Sequence, residues 1–109
     1  PESQIAPMAR IQIARDASMA QTALEALRPG QTVLLVAGGG HVLRHLGIPT
    51  HWPANVLSKV ALAQAEHAQG AIKSGAEADA VISTPALPPR DACAELREQW
   101  RPAPPGQKV

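Results

Sequence analysis

"LLVAGGGHVLRHLGIP", residues 34–49, is the stretch on which the reading of this chain turns. An apolar run gives way to Gly38, Gly39 and Gly40, then His41, and a second histidine follows at 45. Extended back to Gln31, the run "QTVLLVA" (31–37) is short, β-branched and continuously apolar, the pattern of a strand covered on both faces. Before it, "PMARIQIARDASMAQTALEALR" (7–28) places Ile13, Ala17, Ala20, Leu24 and Leu27 at helical spacing. Pro7 suits the first turn and Pro29-Gly30 the end. A helix leading into a buried strand predicts an α/β layered fold.

Further along, "VLSKVALAQ" (56–64) roughly alternates and reads as a second strand, and "DAVIST" (79–84) as a third. Between them "AEHAQGAIKSGAEA" (65–78) reads as a loop with a helical turn at most. Asp91 is placed to cap a short helix, "ACAELREQW". The expectation is a parallel or mixed sheet flanked by helices over residues 1–101, an incomplete part of a larger α/β domain. The Pro-rich end, 102–109, is expected to be disordered.

Composition agrees with an incomplete core. The 109 residues suffice for one domain and not two, and there is no Phe, no Tyr and only two Trp to supply aromatic burial. A partner copy or more of the same chain is therefore expected to complete the fold, and short uncovered strands predict self-association. Net charge is +1, with no clustered Lys or Arg, which excludes an electrostatic footprint for nucleic acid. No apolar run approaches the length of a membrane span, and the chain opens without a secretory signal pattern or initiator Met, as an excised segment would. Cys93, the lone cysteine, excludes an internal disulfide and is expected to be a small buried residue.

Glycines ending a strand can present backbone N–H groups to an anion. The phosphate-loop pattern would need Lys-Ser/Thr after the last glycine, where His41-Val42 stands. The dinucleotide pattern would need Gly where Leu43 stands. Both fail on residue identity, and a glycine turn that lets backbone pass closely is the preferred reading. If "HVLRHL" is helical, His41 and His45 share a face and suit one metal ion. The metalloprotease version needs Glu directly after the first histidine, and Val42 is there. For His45 an exposed polar residue is the preferred reading; for His41 a functional role competes evenly. Arg15-Asp16 reads chiefly as a solvated or locally paired helix face, with a polar patch beside the site as the minority reading, and Lys59 as an isolated charge.

Taken together, "ARDASMAQ" (14–21), "VAGGGHVLRHLGIP" (36–49) and "ADAVISTPALPPRDACAELRE" (78–98) resemble, in order and spacing, the C-terminal part of the ChaN-type haem-binding lipoproteins. The match to the central motif lies at Ala37, Gly38, Gly40, His41, Arg44, Gly47 and Pro49, with Gly39 where Asn is expected and Ile48 where Val is usual. Arg15, Asp16, Met19 and Ala20 match the helix motif, and Asp79, Thr84, Pro85, Asp91 and Cys93 the last one. The resemblance implies a bacterial envelope protein of haem and iron uptake, non-catalytic, lipid-anchored in full length, with haem held between two subunits. The family's iron is expected on a tyrosine oxygen, and this chain has no tyrosine. The resemblance therefore leaves ligation to a histidine, a methionine, Cys93 or a further part of the protein. Trp52, Leu43, Leu46 and Ile48 are candidate haem walls; Arg44, His41 and His51 are candidate propionate partners; Gly38 and Gly40 let the ligand approach. The wider superfamily contains erythromycin-esterase-like enzymes and membrane-bound metalloproteases. It keeps open a metal-dependent hydrolase in which His41 binds a divalent ion, beside a purely structural or interaction domain.

Overall fold

The computed structural model describes residues 1–102 and 106. Most of the expected Pro-rich tail thus lies outside the described residues. A 3-10 turn at Glu2–Gln4 runs into helix α1, Ile5–Ala26. Pro7 sits in its first turn, where a missing N–H costs no helical bond. The helix stops at Leu27, whose backbone is extended. A type II turn follows: Gln31 N–H donates to Arg28 O at 3.1 Å, Pro29 fixes the first corner, and Gly30 takes φ +74° at the second.

The segment 31–37 departs from expectation. Val33, Leu35 and Ala37 are half-buried, but Leu34 and Val36 are each 86% exposed, so the run is covered on one face and not on two. Among the described residues, the backbone groups of 32–37 make no hydrogen bond. The physical reason is that, among the described residues, no strand pairs with it: an apolar run alone makes no ladder, and only a neighbour can.

The sheet is a parallel pair, β1 (Ala61–Ala65) and β2 (Ala80–Thr84), with Leu62 opposite Val81 and Ala63 opposite Ile82. The expected strand 56–64 is thus paired only from 61. Residues 56–60 alternate in burial, with Leu57 96% exposed. The crossover 66–79 contains no helix and is tied down by side chains. Gln64 donates from Nε2 to Ile72 O (2.7 Å) and accepts at Oε1 from Ile72 N–H (3.0 Å), as a neighbouring strand would. Helix α2 is the single turn Gly39–Val42, and helix α3 spans Ala92–Gln99. Asp91 caps α3 as expected, accepting from Ala94 N–H at 2.9 Å. Cys93 is exposed, against the expectation of burial, because α3 buries none of its residues.

Two small apolar clusters hold the molecule. Val60, Leu62 and Ala78 are buried against Val42, Leu43, Ile72 and Val81. Ala20 and Ala23 of α1 are buried beside the 3-10 turn Ile48–His51, whose Ile48 is 1% exposed. The N-terminal half of α1 projects free, with Ile5, Met8, Ile11 and Ile13 more than half exposed, and the molecule extends 65 × 31 × 29 Å. Among the described residues, no helix is long and apolar enough to cross a membrane.

Asp79 joins the sheet to the loop before it. Its carboxylate accepts from Val60 N–H at 2.7 Å and pairs with the Arg44 guanidinium. The Val60 hydrogen bond, with the Arg44 charge adding to it, holds the Asp79 carboxyl below its ordinary value. A depressed folded-state value contributes stability that is present above the unfolded value and lost as pH falls through the folded one. Thermal melts are therefore expected to drop on the acid side of the usual aspartate range. In Asp79→Asn that part of the acid slope should be gone and the neutral-pH melting temperature lower. An unchanged acid slope would contradict this role.

Candidate functional site

His41 stands on α2 directly after the glycines, its N–H donating to Gly38 O at 2.9 Å. Its Nδ1 lies 2.5 Å from Oδ1 of Asp16, in the middle of α1. The Asp16 side chain is 8% exposed and that of His41 25%. Helix and glycine turn, 25 residues apart in sequence, thus meet through a buried carboxylate and a partly open imidazole.

What sets His41 in place is Gly47. After α2 the backbone is extended at Leu43, and Leu46 and Gly47 N–H groups both close on Leu43 O, at 3.3 and 2.9 Å. The chain thereby folds back over His41. A Cβ on Gly47 would fall 2.0 Å from His41 O and 2.4 Å from its carbonyl carbon. The close backbone approach expected at Gly38–Gly40 therefore occurs at Gly47. A Cβ on Gly38 would make only ordinary contact, 3.6 Å from His41 Cδ2, and one on Gly40 would meet nothing within 4 Å.

The helical pairing of His41 with His45 does not form, because α2 ends at Val42. His45 is exposed, and its backbone N–H donates to Glu77 Oε2 at 3.1 Å. Among the described residues, no three His, Cys, Asp or Glu side chains come together as a metal-binding group. Arg44 is engaged inside the fold, on Asp79 and, at 3.4 Å, on Ser58 Oγ. His51 is exposed. Trp52 is half-buried and donates from Nε1 to Ala20 O of α1 at 3.0 Å.

Trp52 and Ile48 line a groove of about 790 Å³ between the C-terminal end of α1 and the segments 31–35 and 56–60. Its walls are mostly apolar, and Lys59 is the charged side chain among them. His41, Arg44, His51, Gly38 and Gly40 do not line it. The structure thus divides the expected residues: Trp52 belongs to the groove, His41 to the contact with Asp16, and Arg44 to the sheet.

Two residues that the resemblance marks were given no leading role by their sequence. Asp16 reads as a solvated neighbour of Arg15, yet it lies on the stripe of Ala20 and Ala23, four and seven residues on, which the core buries. A carboxylate on a buried helical stripe was the available signal. Gly47 was marked only by its match to the family motif, and its role, which comes from a turn closed on Leu43, had no signal in its immediate neighbours.

No curated protein and no solved structure matches the chain. A family model does, that of haem-binding uptake, Tiki superfamily, ChaN, over residues 1–52. The matched segment holds α1, the glycines, His41 and Gly47, hence both halves of the Asp16–His41 contact. Over residues 1–52, just under half of its length, the chain is thus similar to the ChaN family of haem-binding uptake proteins in the Tiki superfamily.

Proposed function

We propose that this chain contributes a haem-binding surface to a haem-uptake protein, with His41 as the residue that meets the iron. The observation that carries the reading is the partly open imidazole of His41, fixed on one edge by Asp16, within the segment that matches the haem-binding family. The donor chemistry suits this group. Haem iron takes one or two axial protein ligands, whereas a structural or catalytic zinc site takes three or four, and no such set gathers among the described residues. Apolar surface lies on the same helix: the exposed Ile13 stands three positions before Asp16, and Met8 one to two turns further out. The bound group would supply an iron centre; the chain's own part is to hold one nitrogen at a fixed place beside apolar wall.

The envelope location, the lipid anchor and a second subunit belong to the same proposal and rest on the resemblance. Support for a partner copy, or for more of the same chain, comes from the exposure of Leu34, Val36 and Leu57.

Haemin titrated into the chain is expected to give a shifted, saturable Soret band. In His41→Ala the band should revert towards that of free haemin and affinity should fall at least ~10-fold, the loss usual for a ligand's own support. A His41→Ala titration superimposable on that of the wild type would remove His41 from the reading.

A further inference from the structure

We infer that Asp16 is a positioning residue: it holds His41 as the tautomer protonated at Nδ1, which makes Nε2 the one ring nitrogen able to meet a ligand. The inference rests on the haem reading only for what that ligand is. Asp16 is the one buried charged residue of the described chain, and His41 Nδ1 is the partner its carboxylate has there. An ionised carboxylate only accepts hydrogen bonds, and leaving one buried and unpaired is costly. At 2.5 Å the ring must therefore donate, so the Nδ1 proton is fixed. In the neutral ring the lone pair then lies on Nε2.

The carboxylate is itself held from behind. Trp52 Nε1 grips the carbonyl of Ala20, one turn further along α1, and Ile48 packs where Ala20 and Ala23 are buried. On the other side Gly47 fixes the backbone of His41. Both partners thus sit on placed backbone, and the hydrogen bond selects the tautomer and the plane of the ring. A carboxylate behind a ligating imidazole also raises the electron density at the opposite nitrogen, which favours ferric over ferrous iron.

The test begins with the haem-free chain, by long-range nitrogen–proton NMR of the imidazoles at a pH where His41 is neutral. The wild type should show a protonated Nδ1 and a bare Nε2. In Asp16→Asn the amide NH2 can donate to a bare Nδ1, and in Asp16→Leu no acceptor remains, so both should let the proton move to Nε2. A bare Nδ1 in the wild type, or an unchanged tautomer in folded Asp16→Leu, would overturn the inference. Should Asp16→Leu fail to fold, the wild-type and Asp16→Asn spectra decide. With haemin added, Asp16→Asn should weaken binding about 10-fold and raise the ferric/ferrous midpoint potential, changes a purely structural aspartate would not bring to a folded variant. The expected tautomer in a chain that binds no haemin would defeat the proposed function and leave this inference standing.

Discussion

Gly47→Ala should lower stability by about 3 kcal/mol or more, among the larger effects available to one added methyl. The cause is local and not conformational. Gly47 has φ −104°, which any residue adopts, but its Cβ would sit 2.0 Å from His41 O and 3.0 Å from Gly40 O. The obstacle is backbone on both counts, so no side chain can swing aside. Relief requires opening the turn in which Gly47 N–H donates to Leu43 O, and that turn carries His41. A melt lower by roughly ten degrees or more is expected for a chain of this size. It should come with loss of the His41 NMR environment even in the residual folded fraction. A melting temperature within a degree or two of the wild type would contradict the geometry.

Ile48→Ala is expected to cost ~2–5 kcal/mol. Ile48 is the largest side chain that the fold buries completely, 1% exposed, and it sits where the 3-10 turn Ile48–His51 meets α1. The residues that α1 buries beside that turn include two alanines, Ala20 and Ala23, which have nothing with which to refill a hole. Ile48→Val should cost only ~0.5–1.5 kcal/mol, and the ratio of the two identifies a packing effect. Denaturant midpoints measure both. Near-equal losses for Val and Ala would point to a lost turn conformation in place of lost volume. Because the same contact seats α1, the Ala variant should also loosen Asp16 from His41.

How much of this was legible depends on the range of the forces involved. Periodicity located α1 to within two residues at each end, since a helix satisfies its own backbone. Asp91 announced α3 for the same reason. β2 was marked by its β-branched run, and pairing trimmed one residue from it. "QTVLLVA" shows the limit: its composition states a strand, but a ladder needs a second strand, and composition cannot say that one is absent. In the site, His41 was legible from its place after the glycines. Asp16 was half-hidden by Arg15, an adjacent charge that in the structure takes no part in the contact. Gly47 was marked by the family motif, but its steric role was not, because the demand on it comes from how the chain returns and not from what surrounds it in sequence.

The unlaced segment 32–37 lies between the two residues of the site, after Asp16 and before His41. The Asp16–His41 hydrogen bond is therefore the clasp of a loop, and closing it costs the configurational freedom of the stretch that it encloses. Whatever orders that stretch removes part of the cost and tightens the clasp; whatever occupies the tightened His41 edge orders the stretch in return, by the same factor. Occupancy at the imidazole is thus coupled to the order of the apolar segment inside the loop.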